Sequence, residues 1–206
     1  MVDASADALL LLVRHGEIEA NVAQRWHGST DSTLTDRGRE QVRLLVAHIA
    51  QMHGDAVAVY TSPLQRARQT AEPIATALGV PLIVSSGLAE FGIGLLENEP
   101  YSDLAGHHRF FEQIEADLAW APVGGESLGA VADRIVAAWR QIAAAHPGEK
   151  VVVVSHGAAA AAGLASLLEH DARQWARHHQ RNTSITELEL GATARLLAFD
   201  RVDHLV

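Results

Sequence analysis

Apolar runs and helical periods alternate along this chain. Residues 8–13 form an unbroken apolar run, the pattern of a buried strand. Thr35 is a helix N-cap type, and Val42, Leu45, Val46 and Ile49 then recur at i, i+3, i+4 and i+7, ending before Gly54. Residues 56–60 read as a second strand. Ser62-Pro63 has the form of an N-cap followed by proline at the first helical position, which predicts a helix through Leu78 with Gly79 behind it. Pro73 lies inside that helix and is expected to kink it. Residues 81–84 read as a short strand, and 107–119 as a helix with Phe110, Phe111, Ile114 and Leu118 on one face. Leu128, Val131, Ile135, Ala138 and Ile142 mark another helix, closed by Pro147-Gly148. A strand over Lys150–Ser155, a helix over 158–168 and two late strands over 184–190 and 195–199 complete the pattern.

Strands alternating with helices predict an α/β fold: a three-layer sandwich with a mostly parallel central sheet and helices on both faces. Residues 87–125 break the rhythm and are expected to form a cap or insertion over a site. With 206 residues, the whole chain is expected to form one domain. Lys and Arg number 16 against 25 Asp and Glu, a net charge of −9. That excess disfavours nucleic acid, which needs a basic face, and anionic membranes. Cysteine is absent, which excludes thiolate metal sites and a cysteine nucleophile and fits a reducing compartment. Residues 1–8 carry no basic residue, so no secretory leader is expected there, and a cytoplasmic location follows as the expectation. No apolar run is long enough to span a bilayer, because Ser155-His156-Gly157 interrupts the longest, 151–168.

Two places share one design. Residues 9–13 run into Arg14-His15-Gly16, and residues 151–154 run into Ser155-His156-Gly157. Ligands of open parallel sheets bind beyond the carboxyl ends of the strands, so both histidines are placed at the functional edge. Glycine after each allows close backbone approach, and the helix after His156 offers free amides to an anion. The bland alternative is that each His only ends its strand. Arg66, at the start of the helix after Ser62-Pro63, reaches the same edge. With Arg14 it offers planar forks suited to phosphate oxygens, although a solvated helix face would also account for it.

Several ordered motifs resemble the histidine phosphatase superfamily, the phosphoglycerate-mutase-like proteins. They are Arg14-His15-Gly16-Glu17, Asn21, the stretch from Gly28 to Gln41 with Leu34-Thr35-Asp36-Arg37-Gly38, the block from Ser62 to Ala71, Gly124-Gly125-Glu126-Ser127, Val154-Ser155-His156-Gly157 and Asn182-Thr183-Ser184. The resemblance covers nearly the whole chain and implies that His15 attacks phosphorus and forms a phosphohistidine. Arg14, Arg66 and His156 would then surround the transferring group, with Asn21, His27, Gly28 and Gly157 contacting substrate. Glu90 takes the family's acid position, although Ile93, Leu96 and Asn98 depart from the family pattern around it. Glu97 competes for the role, but a structural carboxylate capping local amides is the preferred reading of it; Glu17 is a more distant competitor. His27 stands where many members carry Gln, and a surface loop role is equally open to it. His107, His108, His178 and His179 read as surface residues, and no metal or cofactor is expected. The expected activity is hydrolysis of a small phosphorylated metabolite. Phosphoglycerate mutation is the alternative, disfavoured by the short segment between Glu90 and His156, and a non-catalytic phosphate-binding module is a third reading.

Overall fold

The computed structural model describes residues 6–205, so the reading of residues 1–8 falls mostly outside the described residues. Six strands form one sheet: β1 (Ala8–Arg14), β2 (Ala58–Thr61), β3 (Leu82–Val84), β4 (Lys150–Ser155), β5 (Ile185–Leu190) and β6 (Ala194–Arg201). Their spatial order is β3-β2-β4-β1-β5-β6. The first four in that order run parallel, while β5 is antiparallel to both β1 and β6. The helices are α1 (Glu19–Val22), α2 (Asp36–Met52), α3 (Gln65–Leu78), α4 (Tyr101–Ala105), α5 (Phe110–Ala116), α6 (Leu128–Ala145) and α7 (Gly157–Glu169).

The central strands are apolar at every position because both faces of the sheet are covered. Leu10, Leu12, Val151 and Val153 share one core with α6 and α7. Their alternate neighbours Leu11, Val13, Val152 and Val154 pack with Leu45 and Ile49 of α2 and Ala67, Ala71 and Ile74 of α3. The α/β sandwich read from the sequence is therefore the observed architecture. Small residues let α7 lie close to α6: a Cβ on Gly163 would come within 2.6 Å of Ile135 Cγ2 and 2.7 Å of the Trp139 ring.

Three local expectations need correction. Helix α3 begins at Gln65 after Leu64, with no side-chain cap. The Ser62 hydroxyl instead accepts from Leu64 N at 3.2 Å, just ahead of the helix, and lies 2.7 Å from His156 Nε2. Helix α3 carries Pro73 inside it and runs to Leu78 before Gly79, the extent the sequence predicts. The helix expected over 107–119 contracts to Phe110–Ala116, since Arg109 adopts a left-handed backbone with φ 47° before it. Strand β2 starts two residues later than its apolar run. Helix α1, only one turn long, carried no periodic signal.

The segment between β3 and α6 contributes Phe91, Ile93, Leu104, Phe110 and Ile114 to the α6/α7 core. Arg134 of α6 fixes its start: the guanidinium forks onto Glu126 at 2.9 Å and donates to the carbonyls of Gly87, Ala89 and Glu90. This network holds Glu90 close to the sheet edge.

Candidate active site

Strands β1 and β4 are neighbours in register, Arg14 opposite Ser155. The ladder extends one step further, the His15 amide donating to the Ser155 carbonyl at 3.1 Å. Two histidines 141 positions apart in the chain therefore leave the sheet side by side. Their ring centroids lie 5.2 Å apart, with the ring planes at 60°.

His15 is 3% exposed. Its Nδ1 lies 2.7 Å from the Gly16 carbonyl oxygen. A carbonyl only accepts, so Nδ1 carries the proton. Burial, then the positive charges of Arg66 and Arg14, hold the ring well below the usual histidine pKa. The ring is therefore neutral, and its Nε2 keeps a free lone pair. That is the state a nitrogen nucleophile needs.

His156 and Arg66 are fully buried. Arg66 Nε donates to His156 Nδ1 at 3.3 Å, which leaves the proton of a neutral ring on Nε2, donated to Ser62 Oγ. Burial and the same arginine charges keep His156 unprotonated. The remaining Arg66 donors go mostly to backbone: Nη1 to Thr30 O at 2.8 Å, and Nη2 to His27 O and Gly28 O at 2.9 and 2.8 Å. Arg66 thus supplies charge from behind the site and fastens loop 27–30, where the sequence suggested an open phosphate fork.

A cavity of about 520 Å³ opens in front of His15. Arg14, His15, Asn21, His27, Glu90 and Gly157 line it together. Arg66, His156 and Gly28 stand behind the lining. Arg14 Nη1 donates to the Gln180 carbonyl at 2.6 Å, and its Nε is buried without a partner. The guanidinium lies against Gly157, where a Cβ would come within 3.3 Å of Cζ. Asn21 Oδ1 accepts from Ile18 N and from Asn182 Nδ2, which leaves the Asn21 Nδ2 donors directed elsewhere. His27 is held at both ring nitrogens, by Ser32 Oγ and Asn98 Oδ1.

Glu90 enters the cavity over the amino end of α7. Its Oε1 accepts from Phe91 N at 2.8 Å and Ala159 N at 2.7 Å, and its Oε2 from Ala158 N at 3.2 Å. Glu97 has the structural part its sequence reading preferred: it accepts from the amides of Gly28, Ser29, Thr30 and Ile93. Burial opposes its charge, but those amides prevail and hold its pKa below the ordinary glutamate value. Glu17 is turned away to Thr35 and Arg37. Gly28 has no room for a side chain, since a Cβ would meet the Phe91 carbonyl oxygen at 2.2 Å.

Residues 10–199 match the family model of the histidine phosphatase superfamily (branch 1). The chain belongs to the histidine phosphatase superfamily. It is an enzyme of the histidine phosphatase type by family and by structural likeness. It is 32% identical over 180 residues to the probable phosphoglycerate mutase GpmB of Serratia proteamaculans, covering 86% of this chain and 83% of that one. Among solved structures it resembles the phosphoserine phosphatase of Entamoeba histolytica in complex with 3-phosphoglyceric acid, with a TM-score of 0.86, 28% identity, and 97% and 100% of the two chains covered. It also resembles a mycobacterial glucosyl-3-phosphoglycerate phosphatase complexed with VO3, with a TM-score of 0.81, 28% identity, and 93% and 98% covered. Among the described residues no three metal-ligating side chains gather, and no helix is long and apolar enough to cross a membrane.

Sequence reasoning missed several residues of this histidine phosphatase site. Asn182 Nδ2 donates to the His15 carbonyl as well as to Asn21. The polar triplet before β5 was visible, but nothing in it pointed across the sheet to β1. Ser62 was read as a helix cap. Trp26, Tyr101, Phe111 and Trp175 line the cavity, while Phe110 is in the core and Trp120 lies outside this cavity.

Proposed function

We propose that this chain hydrolyses a small phosphomonoester through a phosphohistidine on His15. The observation that carries the reading is the neutral His15 ring, its Nδ1–H tied to Gly16 and its Nε2 free at a cavity that also holds Arg14 and Glu90. In the first half-reaction the Nε2 lone pair forms the N–P bond while the P–O bond to the alcohol breaks. Glu90 serves as the general acid, giving a proton to the leaving oxygen. Its Oε2 carries only the one longer amide bond and is the oxygen suited to pass that proton. In the second half-reaction the Glu90 carboxylate takes a proton from water, the new O–P bond forms and the N–P bond breaks. Arg14, the Gly157 amide and Asn21 Nδ2 hold the phosphoryl oxygens, and the phosphoryl group competes with Ser62 for the His156 N–H. Every charge in this scheme comes from side chains and amides, so EDTA is expected to leave the rate unchanged. Single-domain organisation and a cytoplasmic location belong to the same proposal.

The mutase reading rests on the names of the GpmB relatives. Both activities share the phosphohistidine and differ in what receives the phosphoryl group. The deciding experiment compares phosphate release from a panel of phosphomonoesters with interconversion of phosphoglycerates in the presence of a bisphosphate primer. Phosphate release that depends on His15 supports hydrolysis. Primer-dependent interconversion with little free phosphate would overturn it in favour of the mutase.

A further inference from the structure

The cavity lining is mixed: Arg14, His15, Glu90 and Gly157 share it with aromatic rings from separate parts of the chain. Tyr101 begins α4 and Phe111 lies in α5, while Trp26 follows α1 and Trp175 lies in the 3-10 turn Ala172–His178. The rings brace one another: Trp26 sits 5.8 Å from Tyr101 and 6.4 Å from Phe111, and Phe111 stacks on Trp175 at 6.2 Å with a 21° interplanar angle. Tyr101 is 38% exposed and belongs to the cavity lining.

Polar side chains share the lining, among them the cation of Arg25. Arg25 Nη1 donates to the Asn98 carbonyl at 2.6 Å, and both nitrogens of His27 are paired. A phosphorylated three-carbon acid would leave most of the 520 Å³ unfilled. The rings of Tyr101 and Phe111 in the lining favour offset or edge-to-face contact with another aromatic ring.

Resting on the phosphatase reading above, we infer that the alcohol half of the substrate carries an aromatic ring that packs on Tyr101 and Phe111, the class being phosphate monoesters of aromatic-bearing alcohols. The bond broken is unchanged; the ring sets KM and the orientation of the ester.

The test uses the whole protein and four esters: 2-phenylethyl phosphate, 2-cyclohexylethyl phosphate, propyl phosphate and 3-phosphoglycerate. All four leaving groups are alkyl alcohols, so a preference cannot come from an activated phenol. The expected kcat/KM for the phenylethyl ester is at least about tenfold above that for propyl phosphate and for 3-phosphoglycerate; tenfold corresponds to about 1.4 kcal/mol. Phe111→Leu is expected to shrink the phenylethyl-to-propyl ratio severalfold. Equal rates on all four, preference for 3-phosphoglycerate, or a cyclohexyl ester as good as the phenyl one would overturn the inference while leaving hydrolysis intact. Failure to release phosphate from any of them, together with no phosphate trapped on His15, would refute the phosphatase reading and this inference with it.

Discussion

Glu90 and Glu97 both gather backbone amides, and they differ in what lies beside them. Glu97 closes a loop away from the cavity, whereas Glu90 stands within it and across from His15. Replacing Glu97 by Ala strands amides of Gly28, Ser29, Thr30 and Ile93 in a partly buried place, each at a cost of about 1–3 kcal/mol if water cannot reach it. The urea midpoint of Glu97→Ala should fall accordingly; an unchanged midpoint would show the loop to be held by Arg66 alone. Glu90→Gln keeps acceptor capacity toward α7 but cannot donate the acidic proton. Its activity should drop by about a hundredfold or more on alkyl phosphates and far less on aryl phosphates, whose leaving groups need no proton. Equal losses on the two would move the acid role elsewhere. His15→Ala should lose on the order of a thousandfold or more, and enzyme quenched in alkaline detergent should carry no labelled phosphate, where the unsubstituted protein does. These side chains were legible because chemistry of this kind leaves residue types in fixed local order. Ser62 and Asn182 were not, since their partners are set by the packing of β4 against β2 and of β5 against β1.

At the scale of elements, the site depends on how strands end and helices begin. The apolar runs of β1 and β4 were readable because a strand buried on both faces cannot hide its composition. Helix boundaries were read less well: the Ser62 hydroxyl accepts from Leu64 N just ahead of the helix and lies against His156, and α3 begins without a side-chain cap. Helix α7 shows two separate demands on glycine. At Gly157 the space is filled by the Arg14 guanidinium, and at Gly163 by Ile135 and Trp139 of α6. Gly157→Ala should therefore lower kcat/KM, by up to about a hundredfold, with little change in unfolding midpoint. Gly163→Ala should do the reverse, costing about 1–3 kcal/mol through overpacking with activity largely kept in whatever fraction folds. Assaying both variants for rate and for urea stability separates the two effects, and an exchanged pattern would contradict the packing described for α7.

Across the whole molecule, burial depresses His15, His156, His53, His179 and His204 below the ordinary histidine value of 6.5. The unfolded chain would then bind more protons than the folded one near and below that pH. Stability from these groups is complete above about pH 7 and is lost as pH falls through 6.5. The lowered pKa of Glu97 acts in a separate window, below 4.5. The urea midpoint is expected to decline between pH 7.5 and 5.5, and a flat or rising profile would contradict the burial of these rings as neutral bases. In the same range the acid limb of kcat/KM should lie below 6.5, because protonating His15 removes its lone pair. Net charge and composition bear on the classes of partner, but the cavity wall was out of their reach. Residues 26, 101, 111 and 175 share no repeat or spacing, and only the folded chain makes them neighbours.

The sheet order has an outcome for a polypeptide still being made. Strand β4 lies between β2 and β1, so the first 149 residues emerge with the middle of the sheet missing and with bare edges on two apolar strands. Such a fragment has every residue of the nucleophile loop yet no frame to hold it, and its open edges invite pairing with other chains. The ribosome must deliver Lys150–Ser155 before either histidine has a partner, which makes competence for turnover a late event in synthesis and truncation upstream of that strand a route to aggregation.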